Sequence, residues 1–173
     1  MNSNNIILLR NTLSVMNEKA IPLEKIVIQK TVFYLSELGV PFTYRFKPYT
    51  YGPFSFDLMD DMNDLVFWDK LNTRGNNRYM VAENISSVEL SDNQNFLSDK
   101  IDRFIRLVNK KFDFKNMELF GTAIYCYRAF QEVGSKIAIN KLITEFKLWK
   151  KNKFSDSEIK MAFEKIDKIF SIT

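Results

Sequence analysis

The stretch "YTYGPFSFDLMDDMNDL", residues 49–65, decides the fold, because an aromatic-flanked Gly-Pro pair runs directly into a segment of helical periodicity. Proline suits the first position of a helix, where no N–H is needed, so we expect Pro53 at N1. Gly52 or Ser55 is then the capping residue. The apolar residues that define the inward face are Leu58, Met62 and Leu65. The stretch predicts a helix over residues 54–66. A ligand-binding Gly-Pro loop is the less favoured alternative, because phosphate loops need several glycines or a suitably placed lysine.

Four aspartates lie on this predicted helix at positions i, i+3, i+4 and i+7, which places them on one face. They are Asp57, Asp60, Asp61 and Asp64. Such a face is either solvated, or a docking surface for a basic partner, or a metal or acid–base site. Helical carboxylates alone rarely complete a metal's coordination shell, which disfavours the third interpretation. DNA phosphates repel carboxylates, so we do not expect this helix to read a major groove.

Upstream of this stretch, the pattern predicts two helices and a strand. The helices are expected over residues 5–18 and 22–38, the second with Pro22 in its first turn and Gly39 as its C-cap. Its wide apolar face indicates a central position. The alternating segment "FTYRFK", residues 42–47, predicts a half-buried strand.

Downstream, two short apolar segments flank a Gly/Asn loop and predict a β-hairpin. They are "VFWDKL" and "RYMVAE", residues 66–71 and 78–83. Helix, helix, strand, helix, hairpin is the element order of a winged helix. We therefore expect a winged-helix-like part over residues 1–90.

The remaining residues, 91–173, predict a helical C-terminal part packed on the first as one compact unit. Helices are expected from about 94 to 111, within 116–133, within 136–151, and after 155. The last has a capping-box pattern, "SDSE", at 155–158, and a similar pattern, "SDNQ", opens the first at 91–94. The expected fold class is α+β, mostly α-helical.

Composition narrows the function. The 173 residues include no histidine and one cysteine, Cys126, which lies in an apolar run and is expected to be a buried structural thiol. The commonest general base and the usual nucleophile pairs are therefore missing. We expect a non-enzymatic, cytoplasmic protein without cofactor or bound metal and without a membrane partner. The net charge of +4 arises entirely in residues 87–173, which hold 16 Lys and Arg against 12 Asp and Glu.

Two segments resemble a known family. The first runs from "IQKTVFYL" to "YTYGPFSF", where Gln29 and Lys30 precede a Tyr-Gly-Pro-aromatic-Ser turn at residues 51–55. The second runs from "MELFGTAIYCYRAF" to "KLITEFKLWKKNKFSDSEIKMAFEKI". Together they resemble the YwgA-like proteins and the wider Panacea (SocA-type antitoxin) group. The resemblance implies a winged-helix-like fold and a role in toxin–antitoxin or mobile-element biology, where such domains bind a partner protein such as a toxin or defence protein.

Two sets of candidate site residues follow. The partner-binding set combines the family motif with the acidic face: Lys30, Tyr51, Gly52, Pro53, Ser55, Asp57, Asp60, Asp61 and Asp64. The candidate nucleic-acid contacts come from the hairpin and a lysine-rich helix: Arg74, Arg78, Lys147, Lys150, Lys151 and Lys153. The dense aromatic residues of 42–54 are expected mostly in the core, and a groove for a peptide or small ligand is the alternative.

The function we expect is therefore an antitoxin-like protein-interaction module that binds through the acidic helix 54–66 and neighbouring aromatic residues. The alternative is a winged-helix transcriptional regulator that binds nucleic acid through the wing and the basic patch of residues 141–153. Two arginines in a wing are too few to carry that affinity alone. The partner's identity and the oligomeric state do not follow from the sequence.

Overall fold

The computed structural model describes residues 3–75, 77–82, 85, 91–132 and 138–170. Within these ranges there are seven α-helices and two antiparallel β-hairpins. The helices are α1 (Ser3–Glu18), α2 (Lys25–Glu37), α3 (Phe56–Phe67), α4 (Ser91–Leu107), α5 (Phe114–Glu132), α6 (Ile139–Lys150) and α7 (Asp156–Phe170). The strands are β1 (Lys47–Tyr49) with β2 (Gly52–Phe54), and β3 (Leu71–Arg74) with β4 (Arg78–Val81). The predicted fold class, mostly helical α+β with a small hairpin, is confirmed.

The helix α2 is the central element, as its wide apolar face predicts. Every residue from Val27 to Leu35 is buried. Gly39 follows its end at a φ of 81°, a left-handed conformation that glycine adopts without a Cβ clash. The predicted start at Pro22 is wrong, because residues 21–23 have no regular secondary structure and Glu24, the N-cap, has an extended backbone. There Glu24 forms a β-bridge with Arg78, and the helix begins only after it.

The segment "FTYRFK" has the predicted alternation but is not a strand over its predicted length. Tyr44 is buried between the exposed Thr43 and Arg45, yet residues 41–46 form no β-ladder. The backbone N–H of Thr43 instead donates to the side-chain oxygen of Asn5 in α1, 3.0 Å away. Alternation reports which side chains are buried, and it does not require a neighbouring strand.

The Gly-Pro pair lies in a strand, so the predicted helix start at Pro53 is wrong. In the β1–β2 hairpin Tyr49 pairs with Gly52, and Pro48 lies opposite Pro53. Antiparallel pairs alternate between hydrogen-bonded and non-hydrogen-bonded positions. The two opposed prolines form a non-hydrogen-bonded pair, where their missing N–H groups cost no bond of the ladder. The helix α3 begins after Ser55, whose hydroxyl accepts a hydrogen bond from the Leu58 N–H at 3.2 Å. Ser55 was one of the two predicted caps.

The second hairpin occupies the position of the wing. Its first strand was predicted at residues 66–71, but α3 continues through Phe67 and the strand is Leu71–Arg74. The second strand, Arg78–Val81, lies within the predicted segment. The N-terminal elements thus follow the predicted winged-helix order, with the β1–β2 hairpin where one strand was expected.

The C-terminal helices close the core around α2. The helix α5 contacts α2, β2, α6 and α7. At the start of α7 the capping box is confirmed: the Ser155 N–H donates to Glu158 Oε2 at 2.8 Å, and the Glu158 N–H donates to Ser155 Oγ at 3.3 Å. Cys126 is buried, and burial raises the pKa of its thiol to about 12, which makes it an inert core residue.

Some predictions fall outside the described part of the chain. The side chains of the proposed cap at 91–94 are among them, and so are residues 133–137, where the helices predicted within 116–133 and 136–151 meet. In the described ranges, every helix is too short or too polar to span a bilayer.

Candidate functional site

The β1–β2 hairpin is bonded to α2 through two adjacent side chains. Gln29 Nε2 donates to the Ser55 carbonyl and Gln29 Oε1 accepts from the Ser55 N–H, both at 2.9 Å. The Lys30 amine donates to the Pro53 carbonyl at 2.6 Å. A buried amide that forms two bonds to one backbone residue fixes the position of the chain. The Gln-Lys pair of the family-like motif therefore holds the Gly-Pro-aromatic-Ser segment of the same motif.

Two glycines permit close packing at the hairpin: Gly121 leaves room for the Lys30 side chain, and Gly52 leaves room for Thr122. A Cβ added at Gly121 of α5 would lie 2.6 Å from Lys30 Cδ, and one added at Gly52 would lie 2.9 Å from Thr122 Oγ1. Gly52 also has a φ of 86°, so a side chain there would be strained for a second reason. Lys30 is buried, and its burial, together with the charge of Lys150, lowers the pKa of its amine to about 7.

Lys150 also bonds to the hairpin, and it shares a buried carboxylate with Lys153. The Lys150 amine donates to the Thr50 carbonyl at 2.7 Å and lies 2.9 Å from Glu118 Oε1. Lys153 lies 2.6 Å from Glu118 Oε2. Glu118 is almost completely buried in α5. The C-terminal end of α6 is thus tied to the hairpin by Lys150 and to α5 by the buried carboxylate of Glu118.

Five aromatic rings cover the outer side of this assembly, and we call them the aromatic surface: Tyr49, Tyr51, Phe54, Phe56 and Phe114. Tyr49, Phe54 and Phe56 contact one another with ring centroids 5.0–5.7 Å apart. Tyr51 packs edge-on against Phe114 at 4.5 Å. The rings line a cavity of about 430 Å³, whose remaining lining residues are Glu24, Lys25, Ile26, Gln29, Lys30, Gly52 and Asn77.

The aromatic residues of 42–54, taken with Phe56 and Phe114, therefore divide into two groups. Tyr44 is buried, and Phe42 and Phe46 pack against the core, as expected. Tyr49 and Tyr51 are 55% and 46% exposed, and Phe56 and Phe114 are 58% and 46% exposed. The alternative of a ligand groove matches this second group.

The acidic face of α3 is smaller than predicted. Asp61 is buried and accepts a hydrogen bond from the Tyr44 hydroxyl at 2.8 Å, so its assignment to the exposed face is wrong. Burial raises the pKa of its carboxyl, and it raises the pKa of Tyr44 as well. Asp57 and Asp60 are exposed and Asp64 is half-buried. Among the described residues, no three carboxylate or thiol groups come together as metal ligands would.

Most of the basic candidates already have acidic partners. Arg78 pairs with Glu24 at 2.6 Å, and Lys147 pairs with Asp156. Lys150 and Lys153 share Glu118, and Lys150 is buried, so it cannot reach a phosphate. The exposed candidates Arg74 and Lys151 have no ion pair among the residues the structure describes. Most of the positive charge of this candidate set is therefore already compensated by acidic residues.

Neither comparison by sequence adds a relative: no protein-family model matches the chain, and no curated protein does. The relationship to the YwgA-like and Panacea proteins remains a resemblance carried by the motifs above.

Among the site residues that sequence reasoning missed, three form one group: Phe114, Glu118 and Gly121. All belong to α5, which meets the hairpin only in the tertiary structure. One signal was available, since a glycine and a glutamate interrupt the apolar segment "MELFGTAIY" at positions where an ordinary core helix would carry apolar residues.

Proposed function

We propose that this chain is a non-enzymatic protein-interaction module that binds a partner protein through the aromatic surface and the adjoining exposed aspartates of α3. The observation that carries the proposal is the exposure of four large rings around one cavity. Exposed apolar patches rimmed by polar residues mark interaction sites in soluble proteins. Tyr and Phe are also enriched in the cores of interfaces.

The aromatic surface is also held in place before any partner binds. The backbone beneath it is fixed by Gln29 and Lys30 on one side and by Lys150 on the other. A surface that does not have to be ordered on binding loses less free energy to entropy. Rigid anchoring of exposed rings thus favours a binding function over a chance exposure.

The charges next to the aromatic surface indicate what kind of partner fits. Asp57 and Asp60 lie beside Phe56 on α3 and are exposed. Carboxylates at the rim of an interface favour a partner with basic residues and speed its association. The resemblance to the Panacea group supports a toxin or defence protein in this role.

The test is quantitative capture of proteins from the cells that make this chain, followed by titration with the purified partner. The double variant Tyr49→Ser/Phe56→Ser should lose at least tenfold in affinity, because truncated interface anchors typically cost about 2 kcal/mol or more. The matched control is Phe67→Ser, which truncates an 82% exposed ring on the same helix. It should bind as the wild type does.

The acidic rim is tested separately. The variant Asp57→Lys/Asp60→Lys should slow association while leaving the folded state intact, since both carboxylates are exposed. Equal binding by the wild type and the double aromatic variant would contradict the proposal. So would tight binding of duplex DNA with a steep salt dependence, which is the signature of the nucleic-acid alternative.

A further inference from the structure

The cavity behind the aromatic surface combines an apolar wall with positive charge. Its volume of about 430 Å³ lies in the range of small-ligand sites. We infer that it binds an organic carboxylate whose body is aromatic or branched and apolar. This inference rests on the cavity alone and stands whether or not the aromatic surface also binds a protein.

The charge in the cavity comes from three lining residues, Glu24, Lys25 and Lys30. The Glu24 carboxylate is paired with Arg78 at 2.6 Å. Lys25 lies over the Phe54 ring, 5.7 Å from its centroid, and no carboxylate of the described residues pairs with it. The charge available to a ligand is therefore positive.

Lys30 also retains hydrogen-bonding capacity. The Lys30 amine donates one hydrogen bond, toward Pro53, and because burial lowers its pKa to about 7, a carboxylate bound in the cavity would favour its protonated form, which has three N–H donors. Glu118 is the carboxylate whose charge stabilises the protonated form of Lys30, and it is already shared by Lys150 and Lys153. A bound carboxylate would therefore act as a counter-ion for Lys30, for which Glu118 alone does not suffice.

Aromatic walls also attract cations, so a cationic ligand is the competing class. Lys25 repels a cation, the protonated form of Lys30 adds to that repulsion, and Glu24 is already paired with Arg78. A carboxylate with an aromatic body satisfies both features at once, because its ring packs on the wall while its charge faces the lysines.

The test uses three fragments of equal shape and different charge: 3-phenylpropionate, 3-phenylpropanol and 3-phenylpropylamine. Titrations of the isotope-labelled full chain, followed by NMR, measure each affinity. We expect the propionate to bind at least fivefold more tightly than the alcohol and the amine to bind most weakly. Acetyl-Gly-Gly-Phe with a free C-terminus carries the same groups on a peptide, and its affinity relative to the free acid shows which source the site accepts.

Variants connect the preference to the two lysines. Lys25→Met alone, at a partly exposed position, should lose at least twofold of the preference for the propionate over the alcohol, and Lys25→Met/Lys30→Met should lose all of it. The control is Lys150→Met, which removes another buried amine from the hairpin but not from this cavity. It should keep the preference.

Three results would overturn the inference: no preference for the propionate in the wild type, a preference that survives in the double lysine variant, or an equal loss in Lys150→Met. The last would show that anchoring of the hairpin, rather than charge in the cavity, determines binding. Tightest binding of the amine would assign the cavity to cations instead. Capture of a protein partner can succeed or fail independently of all four.

Discussion

Replacement of Lys30 by methionine should change how the stability of the protein depends on pH. In the folded state burial lowers the pKa of this amine from 10.5 to about 7, while in the unfolded chain it has its ordinary value. The unfolded state therefore binds the proton more tightly, and stability rises with pH across the interval between the two values. The free-energy cost that burial of this amine imposes on folding is smallest above pH 10.5 and grows as the pH falls toward 7.

The magnitude follows from the two pKa values. Linkage gives a penalty of about 4 kcal/mol at pH 7 and about 2 kcal/mol at pH 9, so the wild type should gain about 2 kcal/mol over this interval. Lys30→Met has no proton to bind there and should lack this gain. Its stability at one pH is a poorer measure, because it removes both a costly charge and the hydrogen bond to Pro53.

Urea unfolding at pH 7 and pH 9 measures the effect as a difference between variants, in which the contributions of tyrosines and of Cys126 cancel. Lys115→Met is the control, since Lys115 is exposed and pairs with Glu158 on the surface. It should keep the gain seen in the wild type. If Lys30→Met shows the same pH dependence as the wild type, Lys30 is not a desolvated amine and the reasoning fails.

Three further substitutions test the contacts around the hairpin. Ser55→Ala removes the cap of α3 and should cost about 1 kcal/mol in chemical unfolding, whereas a neutral result would show that the cap bond to Leu58 is not formed. Glu118→Gln leaves the buried Lys150 without its counter-ion and should cost about 3–5 kcal/mol; a loss below about 1 kcal/mol would place Glu118 in solvent. Gly121→Ala places a methyl group 2.6 Å from Lys30 Cδ and should cost about 1–3 kcal/mol, a loss that Lys30→Ala in the same chain should largely relieve.

Helical periodicity predicted most of the fold because it reports burial directly. The helices α1, α2 and α7 lie close to their predicted positions, and the apolar residues that recur at helical spacing in α7 are buried: Ile159, Phe163, Ile166 and Phe170. The prediction was wrong where one sequence pattern is compatible with two different local structures. A proline before a helix also fits a hairpin position that needs no N–H, and Pro53 takes that position.

The candidate site was predictable only in its local part. The sequence singled out the Gln-Lys and Gly-Pro motifs, but their direct contact is seen only in the structure. Asp61 shows what helical spacing cannot predict. Positions i, i+3 and i+4 lie on one face of a helix, but the spacing does not show which of them a neighbouring segment buries. There a tyrosine from the extended segment covers the carboxylate. Glu118 and Gly121 lie about ninety residues from Lys30, and only tertiary packing brings them together.

The central claim, that the aromatic surface binds a protein, is tested most directly by site-specific photo-crosslinking in living cells. A benzophenone amino acid at position 56 places the reactive ring on the aromatic surface, and the same residue at position 67 places it on an exposed part of the same helix outside it. We predict one discrete protein adduct at position 56 that is absent at position 67. Equal labelling at both positions, or adducts with nucleic acid alone, would contradict the claim.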